Sequence, residues 1–97
     1  MTTTTNTTKN YELTILVDEI APQEVIDGLT EKIKGYGKIV SIEDEGVKSL
    51  AYPIRNREKA RYLYYTLKLE NDVPAKLSSN LNIDDNVMRY LLVRVVA

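Results

Sequence analysis

The sequence predicts an α+β domain whose elements follow the order β-α-β-β-α-β. Two segments, Tyr11–Val17 and Tyr62–Leu69, alternate apolar and polar residues with a period of two, which is typical of half-buried strands. A third segment, residues 22–34, spaces its apolar residues three and four apart, as an amphipathic helix does. Because the chain has only 97 residues, it accommodates one small domain.

The first strand and the first helix are the simplest elements to justify. In the strand, one face carries Tyr11, Leu13, Ile15 and Val17. In the helix, the apolar stripe consists of Val25, Ile26, Leu29 and Ile33. Pro22 suits the first helical turn, where a missing N–H costs nothing, and Gly35 suits a left-handed residue at the helix end. We therefore expect a helix over residues 22–34.

The middle of the chain predicts a long hairpin. A second strand begins near Lys38, with Val40 and Ile42 alternating with polar residues, and Gly46 marks a bulge or bend before the strand resumes towards Ile54. The polar residues 55–59 are expected to form the turn. In the third strand, Leu63, Tyr65, Leu67 and Leu69 share one face, and Tyr62, Tyr64, Thr66 and Lys68 share the other.

A short helix and a last strand complete the pattern. Asp72 is a candidate N-cap, and Val73, Leu77 and Leu81 fall on one helical face. The last strand is expected over Val87–Val96, with an apolar face formed by Val87, Leu91, Val93 and Val95.

Two helices, each with one apolar stripe, require one face of a sheet to cover them. With right-handed crossovers, the element order gives a ferredoxin-like fold: a four-stranded antiparallel sheet with both helices on one face and the other face open. The Thr-rich residues 1–9 contain a single apolar residue, so a disordered tail is expected there, followed by one domain over residues 10–97.

Composition excludes most catalytic chemistry. The chain contains neither cysteine nor histidine, which rules out disulfides, thiolate or imidazole catalysis and soft zinc sites. The acidic cluster Glu43–Glu45 reads as solvated surface, because neighbouring strand residues point to opposite faces. We predict no catalytic residue, no metal, no cofactor and no small-molecule substrate. Without an apolar run long enough to span a bilayer, the expectation is a soluble cytoplasmic protein without membrane contact.

Net charge of −1 does not by itself indicate a nucleic-acid partner. Basic residues are nevertheless denser in the middle hairpin, at Lys48, Arg55, Arg57, Lys59 and Arg61, with Tyr52 and Tyr62 between them. Such residues can neutralise phosphates and stack on unpaired bases, although a charged hairpin tip is also simply soluble. Tyr62 and Tyr64 on the open face suit a protein partner or plain exposure.

Three segments resemble the family of bacterial small-subunit ribosomal protein six. The segment Asn10–Leu13 (NYEL) resembles the opening of that family's first strand. Gly46–Ile54 (GVKSLAYPI) resembles its signature, and Asp85–Val93 (DNVMRYLLV) resembles its final strand. The three fall in order and cover about residues 10–96, so the chain is identified on this resemblance as similar to that family.

The resemblance implies a structural constituent of the small ribosomal subunit, located on cytoplasmic ribosomes. It implies binding to the central domain of small-subunit ribosomal RNA, together with small-subunit ribosomal protein eighteen. The residues expected to contact RNA are Lys48, Tyr52, Arg55, Arg57, Arg61 and Arg89. Those expected to contact the partner protein are Leu50, Ala51, Pro53, Ile54, Tyr62, Tyr64, Met88 and Tyr90. The alternative is a free-standing ferredoxin-like module that binds an effector or self-associates.

Overall fold

The computed structural model describes residues 8–95. Its elements, in chain order, are β1 Lys9–Asp18, α1 Gln23–Lys34, β2 Lys38–Ile54, β3 Arg57–Leu69, α2 Val73–Asn82 and β4 Arg89–Arg94. The four strands form one antiparallel sheet in the order β2-β3-β1-β4. The predicted ferredoxin-like fold is therefore confirmed. The predicted tail lies outside the described residues except for Thr8 and Lys9, and Lys9 already pairs with Leu69 in the sheet.

The core lies between the two helices and one face of the central strands. The buried residues that form it include Leu13, Ile15 and Val17 of β1, Leu63, Tyr65, Leu67 and Leu69 of β3, Ile26, Leu29 and Ile33 of α1, and Leu77 and Leu81 of α2. Each fully buried side chain of this size stabilises the fold by about 1.5–3 kcal/mol. The period-two and helical spacings in the sequence therefore predicted the core correctly for these four elements.

Tyr65 is the one core side chain in this group that brings a polar atom with it. Its hydroxyl lies 3.0 Å from Thr30 Oγ1, which itself donates to the carbonyl of Ile26 at 2.9 Å. Because the Thr30 hydroxyl has a single hydrogen, Tyr65 is the donor of the contact between them. Burial raises the pKa of Tyr65, so the phenol stays protonated and keeps this role.

The ends of the helices differ in detail from the expectation. Pro22 is the N-cap of α1 and not its first helical residue. Asp72 is the N-cap of α2, as predicted, but its side chain makes no capping hydrogen bond. Gly35 adopts a right-handed conformation, with φ −66°, so the predicted left-handed residue is wrong. Glycine is instead required at Gly37, where a Cβ would lie 2.5 Å from the Lys68 carbonyl oxygen and 2.6 Å from Leu69 Cδ2.

The hairpin between β2 and β3 is longer and tighter than expected. The ladder shifts register between Asp44 and Gly46, where Gly46 has φ +79°, which confirms the predicted bulge. The turn consists of two residues only, Arg55 and Asn56, both with positive φ, as a two-residue hairpin turn of this hand requires. Residues 57–59 therefore belong to β3, and the predicted five-residue turn is wrong.

The last strand faces the opposite way to the prediction. Strand β4 covers Arg89–Arg94, and its register on β1 places Tyr90 opposite Ile15 and Leu92 opposite Leu13, both on the core face. Leu91, 62% exposed, and Val93 point to the open face. Apolar residues occupy both the even and the odd positions of this segment, so the sequence pattern could not identify the buried face. Val40 and Ile42 on the edge strand β2 are also exposed, for a different reason. Val40 lies where the ladder shifts register between Ile39 and Ser41, and Ile42 lies opposite the core residue Tyr65 but at the edge of the sheet.

The two glycines Gly37 and Gly28 provide a matched test of this packing. We expect Gly37→Ala to destabilise the fold by roughly 2 kcal/mol or more, because the new methyl group meets a backbone carbonyl that cannot move aside. Gly28→Ala meets nothing within 4 Å inside α1 and should stabilise the fold by up to about 1 kcal/mol. Urea unfolding measures both changes, and equal effects would contradict the close approach at Gly37.

The ion pair between Lys32 and Asp84 should make stability depend on pH in the acid range. It joins α1 to the loop after α2, with Nζ 2.5 Å from Oδ2. Burial opposes ionisation of Asp84, but the bonds from Lys32 and from the Asn86 N–H prevail and lower its pKa. A depressed folded pKa stabilises the protein above the unfolded value of about 3.9, and this contribution disappears as pH falls through the folded pKa.

We therefore expect Asp84→Asn to lower the free energy of unfolding at pH 7 by less than about 1 kcal/mol, as partly exposed ion pairs do. The difference from the unsubstituted protein should shrink as pH falls through the lowered folded pKa of Asp84, because the carboxyl group is then protonated in both states. Urea titrations at pH 7, 4 and 2.5 measure the change. A difference that stayed constant over this range would show that the carboxylate charge is not responsible.

Candidate nucleic-acid and protein interface

The sheet face turned away from the helices, here called the open face, carries the candidate site. Cross-strand pairs place Tyr64 beside Thr14 and Tyr62 beside Leu16, and Leu91 of β4 lies on the other side of Thr14. These side chains share one face because paired residues in an antiparallel sheet point the same way. The two tyrosines assigned to a partner surface therefore do lie on the open face, as predicted.

One end of the open face is bordered by an irregular part of the hairpin. Between the pairs Ser49↔Lys59 and Ile54↔Arg57, four residues of β2 oppose the single residue Glu58 of β3. These four residues, Leu50–Pro53, are called the hairpin bulge below. These residues do not pair with β3, so their side chains are not confined to the two faces of the sheet. The side chain of Tyr52 is 81% exposed.

The hairpin bulge and the open face together enclose a groove of about 520 Å³, called the sheet groove. Its lining is Thr14, Leu16, Leu50, Ala51, Tyr52, Ile54, Tyr62, Arg89, Tyr90 and Leu91. Five of the residues predicted for the partner contact are thereby brought together, and Tyr52 and Arg89 of the predicted RNA set join them. Pro53, Tyr64 and Met88 do not line this groove; Met88 lies against a neighbouring hollow beside Arg55.

Three residues of the sheet groove were not predicted from the sequence: Thr14, Leu16 and Leu91. Thr14 and Leu16 lie on the face of β1 that the alternation predicts to be polar. The apolar Leu16 on that face was the sequence feature that could have indicated a second contact surface. Leu91 was assigned to the core, and the register of β4 places it outside instead. Tyr90 contributes to the groove although its hydroxyl points back to the helices, donating to the Ser78 carbonyl at 3.2 Å.

Three of the predicted RNA-contacting cations are already paired with carboxylates. Lys48 lies 3.1 Å from Glu45 and Arg57 lies 3.1 Å from Asp18. Arg61 donates twice from Nε to Asp44, at 2.9 and 3.1 Å, and again from Nη2. The hydrogen bond from Arg61 lowers the pKa of Asp44 despite some desolvation. Lys48 also lies 5.5 Å from the centre of the Tyr62 ring, within reach of a cation–π contact.

Arg89 and Arg55 differ from these three. Arg89 is exposed at the mouth of the sheet groove and has no ion pair within residues 8–95. Arg55 has no carboxylate partner either, but both ends of its guanidinium donate to main-chain carbonyls, Nη1 to Asp85 at 2.8 Å and Nη2 to Val87 at 3.1 Å. Arg89 is therefore available to bind an anion, whereas the guanidinium of Arg55 is occupied by hydrogen bonds to the protein's own main chain.

The centre of the open face is acidic. A hydrogen bond with Glu12 is the main cause of a raised pKa for Tyr64, and the nearby charges of Glu43 and Glu45 raise it further. Three carboxylates thus lie near one phenol beside the apolar groove, and one of them, Glu45, is paired with a cation, Lys48. Such a surface repels phosphate and attracts the cationic side chains of a protein.

The described part of the chain contains neither a cluster of metal ligands nor a helix that could span a membrane. Over residues 8–95, no cluster of three or more His, Cys, Asp or Glu side chains is arranged to hold a metal ion. In the same range neither helix has the length and apolar character needed to cross a membrane.

Comparisons with known proteins relate the whole domain to one family. The family model described as Ribosomal protein S6 matches residues 10–94. Small ribosomal subunit protein bS6 of Clostridioides difficile is 35% identical over 89 residues, covering 88% of this chain and 97% of that protein. The protein of the same name from Alkaliphilus metalliredigens is 32% identical, with coverage of 88% and 95%.

A solved structure shares the fold. The crystal structure of 30S ribosomal protein S6 from Thermotoga maritima superposes with a TM-score of 0.79 at 20% identity, covering 91% of this chain and 88% of that one. Its strands and helices therefore support the same ferredoxin-like arrangement. Because the family model matches most of the chain and the relatives are matched over nearly their full length, the chain belongs to the ribosomal protein S6 family.

Proposed function

We propose that this chain binds the central domain of small-subunit ribosomal RNA in partnership with small-subunit ribosomal protein eighteen. Membership of the family makes it a structural component of the small ribosomal subunit, which lies in the cytoplasm. The observation that carries the proposal is the division of the surface: an apolar groove beside acidic side chains, with unpaired and exchangeable cations at the groove's mouth and on the hairpin. In this role the protein acts by shape and charge, without catalysis or a cofactor.

The protein partner is assigned to the sheet groove and the open face. The groove offers Leu16, Tyr62 and Leu91 as apolar contacts, and tyrosine gives a large contact area with few rotatable bonds. Glu12 and Glu43, which have no ion pair within residues 8–95, complement a basic protein and oppose RNA over the same surface. Self-association through this face would bring two such acidic centres together, which favours a different, cationic partner over a second copy.

The RNA is assigned to the groove's mouth and the hairpin. Arg89 is available without rearrangement, and the exposed ring of Tyr52 can stack on an unpaired base. Lys48, Arg57 and Arg61 would exchange or share their carboxylates with phosphates. The exposed ion pairs of Lys48 and Arg57 contribute only about 0–1 kcal/mol, so their exchange costs little. Arg61 is held by several hydrogen bonds to Asp44 and would share that carboxylate less readily. Arg55 belongs to the same predicted set, but its donors are occupied by the protein's own carbonyls.

Replacing Arg89 tests the RNA contact. We expect Arg89→Ala to weaken binding of the protein pair to a central-domain RNA fragment and to reduce the slope of log K against log salt by about one, since one phosphate contact is lost. Filter binding at several salt concentrations measures the slope. Lys76→Ala on α2 removes the same charge from an exposed position on the helical side and serves as the control. An unchanged slope for Arg89→Ala would remove Arg89 from the RNA interface.

Replacing Leu91 tests the protein contact. Leu91→Glu places a charge in the sheet groove, and we expect the affinity for small-subunit ribosomal protein eighteen to fall at least about 30-fold, as at a buried hot spot. Ile83→Glu is the matched control, because Ile83 is 79% exposed and lies next to α2, away from the groove. Titration calorimetry gives both affinities. Equal losses for the two variants, or none for Leu91→Glu, would contradict the assignment of the groove.

A further inference from the structure

We infer that Arg55 is a positioning residue: its guanidinium clamps the tip of the β2–β3 hairpin onto the loop before β4, and this contact builds the wall of the sheet groove. The clamp itself is a property of the free protein. Its effect on partner affinity rests on the function proposed above.

The hairpin must span the width of the sheet to make this contact. Strands β3 and β1 lie between β2 and β4 in the sheet, so at about 4.8 Å per step β2 and β4 are roughly 14 Å apart. Nevertheless, Arg55 at the tip of the hairpin contacts residues 85 and 87 directly before β4. The hairpin therefore curls across the end of the sheet. The hairpin bulge, with four residues against one, supplies the bend.

The Arg55 guanidinium makes two hydrogen bonds in this contact. Nη1 donates to the Asp85 carbonyl at 2.8 Å and Nη2 donates to the Val87 carbonyl at 3.1 Å. A planar guanidinium can address two acceptors at once in a fixed orientation, whereas a lysine ammonium is a single point charge on a flexible stem. The arrangement thus uses a property that arginine has and lysine lacks.

The loop that receives Arg55 is itself held in place. Val87 is buried, its N–H donates to the Asp84 carbonyl at 3.1 Å, and the Met88 N–H donates to the Leu16 carbonyl at 2.8 Å. Asp84 also accepts from Asn86 N–H and pairs with Lys32. The two carbonyls that receive Arg55 are therefore fixed to β1 and α1, so a contact to them fixes the hairpin tip to the body of the domain.

The hairpin turn needs stabilising contacts from outside the turn. Arg55 and Asn56 both have positive φ, at 51° and 63°, without a glycine at either position. Asparagine tolerates this region comparatively well, but arginine has no local reason to prefer it. The hydrogen bonds of the Arg55 side chain stabilise the turn in the one orientation that points the hairpin across the sheet.

The Arg55 clamp holds one wall of the sheet groove in place. The hairpin bulge directly precedes Ile54 and Arg55, and three of its residues line the groove opposite Leu16 and Leu91. With the clamp formed, this wall stands in place before a partner arrives, so less ordering is required on binding. With the clamp absent, the wall is free to move away from the sheet and the groove loses one side.

The test uses three variants of the full chain: Arg55→Ala, Arg55→Lys and the control Lys59→Ala. Lys59 lies on the same hairpin, is exposed, and has no ion pair within residues 8–95, so its removal changes the charge without touching the clamp. Amide hydrogen exchange of the free proteins reports on residues 50–56. We expect exchange there to accelerate at least tenfold in both Arg55 variants, with β1 and β3 still protected and Lys59→Ala unchanged.

Binding then separates a positioning role from direct contact with RNA. We expect both Arg55 variants to lose about tenfold in affinity for small-subunit ribosomal protein eighteen, with lysine failing to rescue, while the salt slope of RNA binding by Arg55→Ala stays unchanged. A phosphate contact predicts the opposite: Arg55→Lys retains RNA affinity, and Arg55→Ala reduces the slope by about one. That result, or unaltered exchange at residues 50–56, overturns the inference.

The two hypotheses fail separately. Faster exchange at the hairpin in the Arg55 variants supports the clamp even if the unsubstituted protein does not bind small-subunit ribosomal protein eighteen, and that lack of binding refutes the proposed partner. Conversely, normal partner binding by all variants, with slow exchange throughout, refutes the clamp and leaves the proposed function standing.

Discussion

The rest of the structure depends on the pairing of β1 with β3. These two central strands run in register from Lys9↔Leu69 to Asp18↔Ala60. On one face they supply the apolar surface that both helices cover, and on the other they hold Leu16 beside Tyr62 and Thr14 beside Tyr64. Because side chains alternate between the two faces, a shift of one residue would exchange the core and the proposed binding surface. One register therefore sets both surfaces.

The edge strands supply much of the surface that we propose for binding. Strand β2 departs from regular pairing at three places, and charged residues and bulges of this kind also protect an exposed edge against pairing with other chains. The largest irregularity, the hairpin bulge, forms one wall of the sheet groove. Strand β4 contributes exposed Leu91 on the other side. The site is thus made of irregular edge elements, positioned by a regular centre.

The distribution of ion pairs, and not the net charge, determines the electrostatic character of each surface of this protein. Cations on the hairpin are largely matched with carboxylates from β1 and β2, and acidic side chains surround Tyr64 on the open face. This arrangement explains how a chain with a net charge of −1 can present one surface suited to a basic protein and another suited to phosphates. The exposed ion pairs are weak enough to be exchanged when stronger partners are present.

By itself, the sequence determined the element order, the fold class and the buried faces of β1, β3 and both helices, because their alternation admits one face only. It also determined, through three motifs, the family resemblance. The tertiary structure decided which face β4 turns to the core, since Tyr90 to Val93 are apolar at both parities. It decided that Arg61 pairs with Asp44 and that Arg55 reaches Asp85, contacts between residues 17 and 30 positions apart. Local patterns carry no information on such contacts, because they form only once the sheet has set which distant residues are neighbours.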